Sequence, residues 1–233
     1  MKAKLEKNAE FRQRMSQREE KYRVTLQRAY YSNLSVIDSD IIKQAGIDVA
    51  GRPVYVFYGD LQPKQDKLLD KLYLFIVKWL EDEFGKHPRM LDGDPARSGF
   101  TLVYFNTFCE SSSHYEDFRG MLRTFPPRVI LGMNYLIVVH PTLRVKTLDW
   151  IVIGTVNNEL KDRTHYVDTI QKCEKYGVQV DETFLKRLRE EIREHDFQTR
   201  KTRKPNHNRL FIRRRIWRRY WRSKKQRRSC RTT

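Results

Sequence analysis

The chain has 233 residues and carries 47 Lys or Arg against 29 Asp or Glu, a formal charge of +18, with 39% hydrophobic and 12% aromatic residues. That hydrophobic share supports a packed core and excludes global disorder, and the length allows one domain with extensions. Cys109, Cys173 and Cys230 lie far apart without CxxC or CxxH spacing, which argues against a disulfide framework or a zinc module.

The charge is unevenly placed. Residues 200–233 hold 16 of the 47 basic side chains and no acidic one, so the remainder carries 31 basic against 29 acidic residues. The body is close to neutral and the basic character belongs to a tail. The start, MKAKLEKNAEFRQRMSQREEKYR, lacks the apolar stretch of a signal peptide, and no run approaches the ~20 apolar residues of a membrane span. We therefore expect a cytoplasmic protein whose membrane contact is peripheral.

Residues 1–34 are strongly charged, with Leu5, Ala9, Met15, Tyr22 and Leu26 too sparse for a full core face. They predict an exposed helix or a linker. After the turn signal Asp48–Pro53, the run Val54–Tyr58 is rich in β-branched and aromatic residues and predicts a strand. Leu68, Leu69, Leu72, Phe75, Ile76, Trp79 and Leu80 recur at helical spacing across residues 65–84. Gly85–Gly99, with three Gly and two Pro, predicts a long surface loop.

A second strand follows at Thr101–Phe105, continuously apolar as central strands of covered sheets are. A helix over residues 115–125 stops at Pro126-Pro127, and Tyr135–Val139 predicts a third strand. His140-Pro141 then breaks the chain before a very apolar helix, Leu143–Val156, followed by a fourth strand at His165–Val167. Helices over 169–176 and 182–197 close a body spanning residues 35–198, with residues 199–233 as the tail. Alternating strands and helices of this length imply an α/β domain with a largely parallel sheet.

Motifs for common chemistries are missing. The sequence has no glycine-rich phosphate loop, no GxSxG elbow and no HExxH. Cys109 with His114 or His140 is a conceivable nucleophilic pair, beside the plainer reading of isolated structural residues. We expect a non-enzymatic protein without cofactor or bound metal.

The helix Leu143–Val156 has apolar residues around more of its circumference than one core-facing stripe needs. It must cover apolar surface on two sides or lie against an apolar ligand. Gly46–Phe57, Leu102–Phe105, Tyr135–Thr142, Leu160–Arg163 and His165–Asp168 together resemble the CRAL-TRIO family of lipid-binding domains over about residues 35–181. The resemblance is to its divergent branch, that of the ganglioside-induced differentiation-associated proteins and of the BCH domains of Rho-regulating scaffolds.

The resemblance implies a predominantly parallel sheet flanked by helices, flooring an apolar cavity with a gate helix, and a phospholipid or other hydrophobic ligand. Leu148, Trp150, Ile151, Ile153 and Val156 would form the gate, with packing on the sheet as the plainer alternative. Arg163, Ser111 and Ser113 would face a lipid headgroup, against the alternatives of a surface ion pair with Asp162 or Asp168 and an ordinary serine-rich loop. In the BCH branch the same fold serves as a signalling scaffold, which makes small GTPases or their regulators alternative partners.

In the tail, Arg213, Arg214, Arg215, Arg218 and Arg219 accompany Trp217 and Trp221 in a pattern with one basic and one aromatic-rich face. Such a segment fits an anionic membrane surface. It equally fits nucleic acid, with aromatics stacking on bases, or nuclear import, or no dedicated partner.

Overall fold

The computed structural model describes residues 2–86, 98–109, 113–146, 160 and 162–202, with backbone alone at 2–12, 14–15, 127 and 202. By internal contacts the chain divides into two units, residues 1–193 and 194–233.

The first unit is built on a five-stranded sheet in the order β1 (Ile42–Ile47), β2 (Pro53–Tyr58), β3 (Phe100–Phe105), β4 (Met133–Val139) and β5 (Thr164–Val167). β1 runs antiparallel to β2 and every other pair is parallel. All residues of β2 and β3 are buried, because both faces of the sheet are covered. This is the predominantly parallel α/β architecture the sequence implied.

Successive strands step in one direction across the sheet, so right-handed crossovers place their connections on one face. That face carries α2 (Asp66–Lys86), α3 (Ser113–Thr124) and the short α4 (Pro127–Gly132). Tyr55, Phe57, Leu102, Tyr104, Leu136 and Val138 point into this first layer. Their strand neighbours Val54, Val56, Val103, Phe105, Ile137 and Val139 point into a second layer. The second layer is covered by a 3-10 helix (Ile170–Tyr176), α5 (Glu182–Arg187) and the start of α6 (Glu190–Thr202).

Four features differ from the sequence reading. β1 carries a bulge between Gln44 and Gly46, and its sequence IKQAGI has little strand character; pairing with β2 makes it a strand. α4 forms immediately after Pro126, its own Pro127 sitting at the first helical turn where a missing N–H costs nothing. The segment 169–176 is a 3-10 helix ended by Gly177 at φ 83°. The helix expected over 182–197 is two helices, because the backbone N–H of Arg189 donates to the Tyr58 hydroxyl (3.3 Å) and its guanidinium to Asp60 (2.7 Å). Extended backbone at Leu188 makes those tertiary bonds reachable.

The N-terminal helix α1 (Lys2–Tyr31) is only partly exposed. Its second half lies on α2, burying Tyr22 and Ala29 to 1% exposure. Arg18 donates to the carbonyls of Arg123 (3.0 Å) and Phe125 (2.7 Å), satisfying orphan acceptors where α3 ends. Arg128 of α4 pairs with Glu19 (3.2 Å) and Glu81 (2.7 Å) and lies over the Tyr22 ring. Two well-buried residues and one three-way ion cluster attach a helix whose sequence is mostly charge.

Replacing Tyr22 by Ala is therefore expected to lower unfolding stability by about 3 kcal/mol, as deleting a buried aromatic does. Tyr31→Ala, at a position 86% exposed, should change it by less than about 0.5 kcal/mol. Urea denaturation of both variants checks this, and equal losses would contradict the docking of α1.

Candidate functional site

The first layer encloses an apolar chamber. Tyr55, Phe57, Phe100 and Leu102 form its floor, and Ile76, Trp79, Leu80, Phe118, Met121 and Leu122 its roof. The helical spacing of the α2 residues turns one stripe onto the sheet. Aromatic pairs close the packing: Tyr55 meets Trp79 edge-on at 4.9 Å between centroids, and Phe57 meets Phe118 at 4.9 Å. The enclosed space is ≈10 Å³, about enough for one water. Drug-sized ligands occupy roughly 300–1,000 Å³, so an apolar molecule enters this chamber only if roof and floor separate.

The expected gate residues Leu148, Trp150, Ile151, Ile153 and Val156 lie outside the described residues, as does Ser111. Near the two described ends of the β4–β5 connection, Val145 and Leu160 are at 0% and 6% exposure. Both pack into the same cluster as the chamber.

A band of polar groups lies at the carboxyl ends of the parallel strands, joined to the chamber through Tyr104, whose ring packs on Phe57 and Phe118. Register sets Tyr58 beside Phe105, Phe105 beside Val139 and Val139 beside Val167, so the strands end level. From the first connection Gln62 donates to the Tyr104 hydroxyl (3.1 Å), which hydrogen-bonds to Cys109 Sγ. Gly59 sits against both groups, and a β-carbon there would collide with the Tyr104 hydroxyl and lie 2.8 Å from Cys109 Sγ. From the second, Asn106 donates to the His140 carbonyl (3.4 Å), and Thr107 and His140 Nδ1 share a hydrogen bond of 2.7 Å. His140 adopts φ 53°, and Thr142 then accepts from the Val145 N–H (3.2 Å), capping the helical turn that follows.

This band is not fully satisfied. Gln62 Oε1, Asn106 Oδ1, His114 Nδ1 and Asp60 Oδ1 are buried with no hydrogen-bond partner. Gln62, Asn106 and His114 are themselves at most 7% exposed. A buried polar atom left unpaired costs about 1–3 kcal/mol, so four in one band are a concentrated reserve of unmet hydrogen bonding.

The nucleophilic reading of Cys109 meets a different environment. Its partner is Tyr104, while His140 is bonded to Thr107. Burial pushes the thiol up to about 12, against the Tyr104 hydrogen bond that pulls it down and with Asp60 adding to the rise. A thiol protonated at neutral pH is a poor nucleophile. Among the described residues no three His, Cys, Asp or Glu side chains form a metal-binding group.

Arg163 and Ser113 do not share a site. Arg163 donates to the carbonyls of Leu131 (3.2 Å) and Met133 (2.7 Å), at the amino ends of β4 and β5. Ser113 is the exposed first residue of α3, beyond the carboxyl end of β3. A seven-residue strand separates the two ends by roughly 20 Å, so a headgroup site made of both is ruled out. Asp168, one of the two carboxylates considered as an ion-pair partner for Arg163, pairs with Lys146 and Lys172, each at 3.3 Å. Gln62, Asn106 and Thr107 escaped sequence reasoning; Asn106 and Thr107 directly follow an apolar strand, while Gln62 lies four residues past β2, beyond a 3-10 turn.

No protein-family model matches the chain. Its sequence is similar to the GDAP2 homolog of Drosophila melanogaster, 26% identical over 157 residues, 66% of this chain and 27% of that one. Ganglioside-induced differentiation-associated protein 2 of Rattus norvegicus is 27% identical over 159 residues, 67% of this chain and 30% of its own. The Homo sapiens protein is 26% identical over the same length. The chain thus spans less than a third of the curated relatives it matches. Among solved structures, Sfh5 is similar at 11% identity and a TM-score of 0.46, over 61% of this chain and 54% of its own.

Two measurements test the polar band. Burial raises the Cys109 thiol and the Tyr58 hydroxyl, each to about 12, from ordinary values of 9.0 and 10.0. The folded state therefore keeps protons that the unfolded chain releases above pH 9, and stability should fall as pH rises from 9 towards 12. A flat urea midpoint from about pH 8 to 11 would contradict this. Alkylation of Cys109 in the folded protein at pH 8 should run about a thousandfold below a free thiol, read by peptide mass mapping. The chain is thus similar in sequence to ganglioside-induced differentiation-associated protein 2 over about two thirds of its length, and its described strands form the predominantly parallel α/β sheet which that resemblance implied.

Proposed function

We propose that this domain binds an amphiphilic ligand, a phospholipid, with its acyl portion in the first-layer chamber and its polar portion at the carboxyl-end band. The observation that supports the reading is one first layer holding both a wholly apolar chamber and, beyond Tyr104, which packs on the chamber residues Phe57 and Phe118, buried polar atoms without a partner. An amphiphile supplies what each part lacks: methylenes worth ~0.8 kcal/mol each on burial, and hydrogen-bonding groups for Gln62, Asn106 and His114. The role is binding, transfer or sensing, and not catalysis, in keeping with a thiol held protonated beside Tyr104. Action at the cytoplasmic face of a membrane follows from a ligand that resides there, and the basic tail supplies a second contact with anionic lipid.

A second reading is favoured by one observation, the chamber's ≈10 Å³ of free space. A core that stays closed suits a scaffold that engages a protein partner, such as a small GTPase or its regulator, through its outer surface.

Organic extraction and mass spectrometry of the purified protein separate the two. A stoichiometric phospholipid is expected; a lipid-free protein that takes up none from mixed vesicles would leave the scaffold reading. Asn106→Leu should lower lipid retention about tenfold, the worth of one hydrogen bond to the ligand, while leaving thermal stability unchanged or higher. Loss of stability with lipid retention unchanged would make Asn106 a folding residue only.

A further inference from the structure

The four buried atoms of the polar band that lack a partner differ in what they can bind. Three are oxygens: Asp60 Oδ1, Gln62 Oε1 and Asn106 Oδ1. The fourth, His114 Nδ1, donates or accepts according to its tautomer and does not discriminate.

The neighbours fix the role of each oxygen. The Asp60 carboxylate accepts from Arg189 on Oδ2 at 2.7 Å, and a carboxylate paired with a guanidinium can only accept on Oδ1 as well. Asn106 points Nδ2 at the His140 carbonyl (3.4 Å), an acceptor that only the amide N–H can meet, so its oxygen lies on the other side. Tyr104 directs its single proton to Cys109 Sγ, so its own oxygen accepts from Gln62 Nε2 (3.1 Å) and the Gln62 oxygen is left over. All three open positions are therefore acceptors.

Two short segments carry them. Asp60 lies in the 3-10 turn Gly59–Leu61, and Gln62 closes that turn with its N–H on the Gly59 carbonyl (3.2 Å). Tyr104, held by Gln62, stands two residues before Asn106, and strand alternation puts both side chains on the first-layer face. At 3% and 4% exposure, Gln62 and Asn106 cannot turn their oxygens to bulk water. The charge around them is short of a cation. Arg189 is shared, since it also lies 3.7 Å from Glu191, so two carboxylates flank one guanidinium.

This combination selects among chemical groups. A phosphate or carboxylate brings acceptors, which would face these oxygens lone pair to lone pair. A trimethylammonium has the charge but no N–H, and a polyol has donors without the charge. A primary ammonium has three N–H donors and no acceptor, matching three open oxygens of which one belongs to a carboxylate.

We propose that the Asp60, Gln62 and Asn106 oxygens receive the N–H groups of a primary ammonium, borne by a lipid headgroup or by a small free amine. In its lipid form the inference rests on the lipid-binding reading above and names the headgroup, an ethanolamine type rather than choline.

The test offers full-length protein vesicles with equal parts of phosphatidylethanolamine, its N-methyl and N,N-dimethyl forms and phosphatidylcholine, all with the same acyl chains. The re-isolated protein is extracted for mass spectrometry. Each methyl removes one N–H while the charge stays, so uptake should fall stepwise along the series, by about tenfold or more from first to last. Gln62→Met should flatten that gradient to about twofold, and Asn106→Leu gives the same readout if Gln62→Met does not fold. Calorimetry with glycerophosphoethanolamine and glycerophosphocholine covers the free form. Lipid uptake by wild type without the gradient would overturn the ammonium site and leave the lipid-binding reading in place. A gradient that both variants leave intact would overturn the assignment to these oxygens. A protein that takes up no lipid yet prefers glycerophosphoethanolamine would keep the site and remove the chamber reading, and one that binds neither would overturn both.

Discussion

Four parallel strands end level, with Tyr58, Phe105, Val139 and Val167 side by side in register, and most of what this domain does follows from that alignment. Both faces of the sheet are buried, so its inward side chains must be apolar along their length. The first polar residue after each strand then emerges at the same height as its neighbours. Asp60 and Gln62, Asn106 and Thr107, and His140 are brought together from segments with no proximity in sequence. A dry interior is thereby crowned by a row of hydrogen-bonding groups.

The two halves of that arrangement are held differently. The chamber is closed by aromatic and aliphatic contacts that are non-directional and can re-form in altered positions. The polar band is held by directional bonds, and the Gln62–Tyr104–Cys109 chain is so closely packed that Gly59 tolerates no side chain. Free space is nearly absent below, and unmet hydrogen bonds accumulate above. In the proposed lipid-binding reading, an acyl chain enters by parting these non-directional contacts while the directional bonds of the polar band keep their place.

The lettering of the sequence made parts of this plain. Val54–Tyr58, Thr101–Phe105 and Tyr135–Val139 announced buried parallel strands, and the spacing of Leu72, Ile76 and Leu80 announced the helix that covers them. Asp48–Pro53 was legible as a turn, and the structure gives its mechanism. The buried Asp48 carboxylate accepts from the N–H groups of Ala50 and Arg52, both at 2.9 Å, and pairs with the Arg52 guanidinium at 2.7 Å. The His140-Pro141-Thr142 signature likewise resolves into a left-handed strand end followed by a side-chain helix cap. α1 was not legible, because Tyr22 and Ala29 are too few for an amphipathic stripe; Arg128, which locks them down, belongs to a helix about a hundred residues later.

Sequence by itself determined the elements whose signal is local: strand runs, helical periodicity, caps and turns, and hence the α/β class. These depend on residues within a few positions of one another, where period and stereochemistry act directly. Only the tertiary structure decided that IKQAGI is a strand, that the last helix breaks at Leu188, that Arg163 and Ser113 stand at opposite ends of the sheet, and that Gln62 meets Tyr104 while Thr107 meets His140. Those partners are 42 and 33 residues apart, and their meeting depends on strand register, which no neighbouring residue encodes.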